Sequence, residues 1–355
     1  MKGETREIWR DFCRRLDTLG DIVASTELAR ETIDQAEGYR YLSRLTRIAL
    51  EMHLENADPD FPSFYAASHS TAKIGADNPD NIYMNAAISG ARRYRITGNR
   101  GTAPVLSFGT KANRYAVDGT MASTGELDGA DMAFGPNGGF EIIAAEHPVE
   151  GNWLPLAHDS SMLIVRQTFL DRETSATVRI EAIDRPGAAP DPLTPARLEQ
   201  GLARAAAFVE GTLRTFLGWT DMLVREQRNQ LATTDQTMFQ KAGGDPTIFY
   251  LHGYWTLAPD EALVIDTPVP PCAFWNFQLN NIWFESLDYR HHRVHVNMHT
   301  ARLNADGSVT IVVAARDPGL DNWIDTAGHH HGTMLLRWIA AEAHPVPRTW
   351  VEKLA

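Results

Sequence analysis

Gly307-Ser308-Val309-Thr310-Ile311-Val312-Val313-Ala314-Ala315, followed by Asn322-Trp323-Ile324 and then Met334-Leu335-Leu336-Arg337, is the stretch whose reading decides the fold. The same pattern stands earlier in the chain. It runs Gly139-Phe140-Glu141-Ile142-Ile143-Ala144-Ala145, then Asn152-Trp153-Leu154, then Met162-Leu163-Ile164-Val165-Arg166. Spacings between the anchors differ by a residue or two, as loop insertions produce. Self-similarity of this kind marks a repeated supersecondary unit. Shared residues belong to the scaffold, so added chemistry is expected where the second copy departs from the first. It departs at Gly328-His329-His330-His331, which stands where the first copy has only His158.

Around the repeats the chain alternates between two periodicities. Ile8, Phe12, Leu16 and Leu19, and then Tyr41, Leu42, Leu45, Ile48 and Met52, recur at helical spacing over residues 5–56. Asp58-Pro59-Asp60-Phe61-Pro62 ends that region, because proline removes a donor and restricts its predecessor. Short β-branched and aromatic segments follow from about residue 80. Asp184 to Pro195 reads as a linker, and Thr194-Pro195 supplies an N-cap and a first-turn proline. Leu198, Leu202, Ala206, Val209, Leu213 and Phe216 then form one helical stripe, with Gly218 and Gly243-Gly244 expected to break the helical region.

This order gives an N-terminal helical segment over 1–62, a first β-unit over 78–184, a helical connector over 194–242 and a second β-unit over 247–345. The expected class is α+β: two antiparallel β-sheet units of a duplicated motif, sandwich or jelly-roll-like, packed together with flanking helices.

Composition excludes several functions. A net charge of −12 over 355 residues argues against sequence-independent nucleic-acid binding, which needs a positive surface. Arg92-Arg93-Tyr94-Arg95 and Arg290-His291-His292-Arg293 are expected on solvated strand faces. Cys13 and Cys272 are the only cysteines and have no neighbour at zinc or redox spacing, so a reducing, cytoplasmic setting is expected. No run approaches eighteen apolar residues, which predicts no membrane partner. No Gly-x-Gly-x-x-Gly, Walker, Gly-x-Ser-x-Gly or His-Glu-x-x-His pattern occurs, so no nucleotide cofactor is expected.

Longer motifs carry a family resemblance. Tyr39-Arg40-Tyr41-Leu42, Asn78-Pro79-Asp80-Asn81-Ile82, Asn152-Trp153-Leu154 and Val165-Arg166-Gln167 resemble bacterial proteins with a C-terminal DUF1214 domain. So do Leu257-Ala258-Pro259-Asp260-Glu261-Ala262, Trp283-Phe284-Glu285-Ser286-Leu287-Asp288-Tyr289, Arg316-Asp317-Pro318-Gly319 and Asn322-Trp323-Ile324-Asp325-Thr326-Ala327-Gly328-His329. The resemblance spans nearly the whole chain and is strongest over 247–340. It implies an antiparallel β-fold with supporting helices and assigns no reaction. His291-His292 and His330-His331 depart from the pattern of that family.

Three constellations invite chemistry. Seven histidines, His291, His292, His295, His299 and His329 to His331, suggest a metal, with His295, His329 and His331 as candidate ligands. Strand spacing tempers that reading, since residues four apart stand roughly 13 Å from each other and zinc ligands lie at about 2 Å. In the Asn322–His329 loop, Asp325 or Asp321 could orient His329 as a general base; the alternative is a turn held by Asx bonds and pinned by Trp323. In Trp283–Tyr289, read as a strand, Glu285, Asp288 and Tyr289 stand among aromatics that raise carboxyl pKa values. The alternative there is a buried acid paired with Arg290, Arg293 or Arg337.

Two functions remain open. One is a cofactor-independent or metal-assisted enzyme, a hydrolase or a lyase or isomerase, acting on a small, partly apolar organic substrate. His329, Asp325, Glu285, Asp288 and Tyr289 would be catalytic, with Trp283, Trp323, Asn322 and Arg337 binding substrate. The other is a non-catalytic binding protein for an apolar ligand or partner, using a pocket between the two sheets. A homo-oligomer is compatible with either.

Overall fold

The computed structural model describes residues 2–169 and 175–354. Helix α1 (Lys2–Ser25) and helix α2 (Thr32–Leu50) open the chain, and α2 runs on into one π-helical turn, Glu51–Glu55. The first unit holds β1 (Asn81–Ala87), β2 (Tyr94–Asn99), β3 (Val105–Arg114), β4 (Thr120–Asp128), β5 (Gly139–Ala145), β6 (Asn152–Pro155), β7 (Met162–Thr168) and β8 (Thr177–Ala182). The connector is α3 (Pro195–Glu226), β9 (Gln230–Thr233) and α4 (Gln236–Lys241). The second unit holds β10 (Ile248–Thr256), β11 (Glu261–Pro268), β12 (Phe274–Asn280), β13 (His295–Asn297), β14 (Ser308–Ala314), β15 (Trp323–Asp325), β16 (His331–Ile339) and β17 (Arg348–Lys353).

The duplication is complete at the level of topology. In the first unit the sheets are β1-β7-β3-β4 and β6-β5-β2-β8; in the second they are β10-β16-β12-β13 and β15-β14-β11-β17. Each strand of one unit has its counterpart nine positions on in the strand order. Even the single parallel pairing recurs, β5 with β6 and β14 with β15, inside otherwise antiparallel sheets. The chain is thus an α+β protein of two jelly-roll-like sandwiches.

Asn-Trp is the signature of that scaffold. The Asn152 amide donates to the Ala133 and Glu141 carbonyls and accepts from the Ala133 N–H. The Asn322 amide donates to the Arg302 and Thr310 carbonyls and accepts from the Arg302 N–H. Trp153 and Trp323 each donate the indole N–H to the last residue of the preceding strand or its neighbour, Ala145 and Ala314. Each pair stitches a loop to the sheet edge, where backbone groups would otherwise lack partners.

Three cores result. Leu163 and Val165 pack inside the first sandwich, and Met334, Leu336 and Trp338 inside the second. The alternate residues Met162, Ile164, Leu335 and Ile339 point the other way, into a central core shared with α1, α2 and α3. Strands β7 and β16 are therefore buried on both faces along their length.

Several expectations need correction. Helix α3 runs through Gly218, where an added Cβ would meet nothing, so the glycine sits on an open face and no break occurs. Arg92-Arg93 and Arg290 to Arg293 lie in turns and bends ahead of β2 and β13, and β13 is only three residues long. Trp283 to Tyr289 is an irregular loop, because the Asn281 carboxamide captures the Trp283 and Glu285 N–H groups and Phe284 takes φ +59°. The strand-face argument for Glu285, Leu287 and Tyr289 therefore falls. The second unit also continues past 345, since β17 pairs with β11.

Candidate functional site: a cavity between the two units

The histidine run of the second copy docks helix α2. His329 Nε2 lies 3.0 Å from Glu37 Oε2, His330 Nδ1 3.0 Å from Glu31 Oε1, and His331 Nε2 3.1 Å from Asp34 Oδ2. Three consecutive residues of one chain segment thus meet an acidic face repeating every three residues on the first turns of a helix. Glu31 and Asp34 also form the capping box of α2, and Asp34 accepts from the Glu31 N–H at 2.9 Å. The Tyr254 hydroxyl meets His331 Nδ1 at 2.7 Å.

Burial by itself lowers the His329 pKa, but its hydrogen bond to Glu37 and that carboxylate's charge outweigh burial and hold it above its usual value. Burial raises the Glu37 pKa, and the His329 bond and charge with Arg40 bring it below its usual value. Both directions are those of a pair in which each charge favours the other. The network continues from Glu37 through the Asn281 amide to Glu285, whose other oxygen accepts from Arg44 at 2.5 Å. Glu285 is the buried, arginine-paired acid of the blander reading, with Arg44 in place of Arg290, Arg293 or Arg337. Burial drives its pKa up.

The other predicted residues go elsewhere. Asp325 accepts from His292 at 2.7 Å rather than from His329, and Asp321 stands 3.5 Å from Arg302. Asp288 is held well below the carboxylate range by its bidentate bond with Arg290. The Tyr289 ring lies under the Lys73 ammonium, and His295 stands 3.3 Å from Asp80. Trp283 donates to the Asp34 carbonyl at 2.9 Å and is completely buried against α2. Each of His295, His329 and His331 faces its own carboxylate, and among the described residues no three His, Cys, Asp or Glu side chains gather as a metal-binding set.

Arg337 leads to a different place. It faces the central core from β16, opposite Tyr250 on one side and Asn276 on the other. Arg166 holds the equivalent position on β7, between Tyr83 and Ser107. A second repeat becomes visible here: Asn78-Pro79 precedes Tyr83 by five residues, and Asp245-Pro246 precedes Tyr250 by five. The Asn78 N–H donates to the Tyr83 hydroxyl at 3.0 Å, and the Asp245 N–H to the Tyr250 hydroxyl at 3.0 Å. The arginines then cross over. Arg337 Nη2 donates to the Ala76 carbonyl before β1, and Arg166 Nη2 to the Gly243 carbonyl before β10, so each unit's arginine holds the other unit's entry loop.

Between these crossed loops lies a cavity of about 150 Å³. Tyr83, Arg166, Tyr250, Arg337 and His252 contribute polar groups, while Ile164, Phe216, Trp219, Phe239 and Leu335 contribute apolar wall. Burial raises the Tyr250 phenol to about 12 against the lowering effect of both arginines. Burial, with help from Arg337, pushes His252 down to about 3, so its imidazole is neutral. Its Nδ1 has no hydrogen-bond partner among the described residues. Of this site the sequence reading had singled out only Arg337 and the idea of a pocket between sheets. Extending the repeat upstream to the Asn/Asp-Pro-x-x-x-Tyr pair was the signal that would have found the rest.

The fold and cavity define a protein of two jelly-roll-like units of equivalent topology that exchange loop contacts. Residues 256–343 match the family described as "Protein of unknown function (DUF1214)", so the chain carries a DUF1214 domain over that part of the second unit. Among solved structures, an uncharacterised protein from Burkholderia cenocepacia is 51% identical, with 98% of this chain and 97% of that one covered and a TM-score of 0.95. The VPA0106 protein from Vibrio parahaemolyticus is 12% identical over 88% of this chain and 98% of its own, with a TM-score of 0.48. No curated protein matches the chain.

Proposed function

We propose that the protein binds a small, partly apolar organic molecule in the cavity between its two units. One observation carries this reading: the outward-facing Tyr and Arg of both copies converge, with His252, on a space walled by Ile164, Phe216, Trp219 and Phe239. Concave, mostly apolar sites with a few convergent polar groups are the usual form of ligand pockets. A volume of about 150 Å³ suits a single ring or a short chain.

The lining favours holding a ligand over proton transfer to it. Guanidinium groups stay charged, the Tyr250 phenol is pushed to about 12 and His252 down to about 3, away from the range of an efficient general base. His329, Asp325, Glu285 and Asp288, the acid–base set expected from the sequence, each bond a different partner.

The test is ligand-induced stabilisation with a panel of one-ring and five- to seven-carbon compounds, neutral and anionic. Saturable shifts in the melting temperature are expected, accompanied by a fluorescence change that Trp219→Phe abolishes. If no compound of that size shifts either signal, the binding reading is wrong. Chromatography of the same incubations reads turnover, and product formation would move the assignment to catalysis.

A further inference from the structure

Resting on that reading, we infer that the ligand is an organic anion, a carboxylate on a small apolar body, and that Arg166 rather than Arg337 receives it. The argument comes from a mismatch between the two copies beside the cavity. In copy two, both terminal nitrogens of Arg337 have acceptors: Nη2 donates to the Ala76 carbonyl, and Nη1 to Gln278 Oε1 at 2.5 Å and Asn276 Oδ1 at 3.4 Å. Across the equivalent strand of copy one, Ser107 replaces Asn276 in register, and Gly109 stands where Gln278 does. Glycine offers no acceptor, and the Ser107 hydroxyl donates to Asp245 Oδ2 at 3.1 Å.

Arg166 Nη1 therefore has no hydrogen-bond partner among the described residues although it is buried. Asp245 Oδ2 lies 3.6 Å away, close enough to offset charge but too far to accept a hydrogen bond. Lys111, buried nearby, is paired with Glu126 and brings no acceptor. A guanidinium N–H left unpaired in the interior is costly, and a carboxylate is its best-matched acceptor.

The neighbouring donors point the same way. Tyr83 and Tyr250 each use the hydroxyl oxygen to accept a backbone N–H, which leaves the hydroxyl proton with no acceptor among the described residues. Tyr83, Tyr250 and Arg166 thus bring two phenol O–H groups and an unpaired guanidinium nitrogen to the lining of a cavity whose remaining wall is mostly aromatic and aliphatic, with Ser68, Asn78, Asn81, Asn85 and an Asp77 carboxylate that is already bonded to the Ser286 N–H and hydroxyl. That combination suits two carboxylate oxygens and a body the size of a phenyl ring.

The experiment is calorimetry on the full chain at pH 7.5 with two isosteric pairs, benzoate against benzamide and hexanoate against hexanamide. Carboxylates are expected to bind at least about 10-fold more tightly than their amides, the scale of one hydrogen bond to a charged group. Arg166→Gln should erase that preference while changing amide affinity less than about 3-fold. If that variant does not fold, Ser107→Asn serves instead: it supplies Nη1 with the acceptor copy two has, keeps the charge, and should weaken carboxylate binding by about 10-fold. Equal binding of acid and amide to the wild type overturns the anion inference and leaves the binding reading intact. Failure of both members of both pairs overturns the two together.

Discussion

Replacing His329 with Gln tests whether the histidine run is a clasp or a catalyst. The variant keeps a donor for Glu37 and removes the charge from a pair whose members are 6% and 10% exposed. Breaking a buried ion pair by removing one partner costs about 3–5 kcal/mol, but Glu37 retains Arg40 at 2.6 Å and Asn281 at 2.8 Å. A loss of about 2 kcal/mol near pH 6 is expected, read by urea unfolding at constant m-value. The pH dependence has a definite sign. The folded pKa of His329 is raised, so its contribution is complete below the ordinary histidine value of 6.5 and fades as pH rises through the folded pKa. The folded pKa of Glu37 is lowered, so its contribution is present above 4.5 and fades as pH falls through the folded value. The gap between wild type and His329→Gln should therefore be widest near pH 6 and narrow toward pH 9. Ligand affinity at the cavity should be unchanged throughout. A gap that is flat or grows toward alkaline pH would refute the ion-pair account, and loss of ligand binding with intact stability would return His329 to the functional site.

Asn322→Ala strips three hydrogen bonds from a side chain that is 3% exposed and should cost about 2 kcal/mol; Asn152→Ala, at the half-buried twin, should cost less, both read by urea midpoint. Gly38→Val places a Cβ 2.5 Å from both Trp283 Cζ2 and Val23 Cγ1, and overpacking there should lower stability by about 2 kcal/mol and loosen α2 in hydrogen exchange. Arg337→Met removes the charge and all three bonds of the guanidinium, including its hold on the Ala76 loop, and should destabilise more than Arg166→Gln in parallel thermal melts.

The scaffold was legible because repetition exposes it. Asn-Trp and the Met-Leu strand that carries arginine stood in both copies, and both proved to hold equivalent places in equivalent sheets. Helix α3 was readable from its apolar stripe and from Thr194-Pro195, whose hydroxyl accepts the Arg197 N–H. What misled was local composition. A glycine on an open helix face broke nothing, and aromatics in Trp283 to Tyr289 formed a loop because one Asn side chain outcompeted a strand. The histidines looked like chemistry because their partners, Glu31, Asp34 and Glu37, lie some three hundred residues earlier, beyond any spacing argument. The cavity was hidden for a related reason. Its polar groups come from four strands, β1, β7, β10 and β16, and the difference that matters, Gly109 against Gln278, is an absence that only the register makes visible.

The crossed entry loops bear on how such a chain could have arisen. Ala76 and Gly243 each cap an arginine belonging to the other unit, an arrangement that two identical subunits related by a twofold axis would make by swapping arms. Fusion of such a dimer into one polypeptide would free the copies to drift apart, one arginine keeping acceptors at both terminal nitrogens and the other losing those of Nη1. It would also leave neither half self-sufficient. A fragment cut to residues 256–343 would lack the first-unit loop that holds Arg337, and expressed alone it should behave as an incompletely folded piece rather than as an autonomous domain.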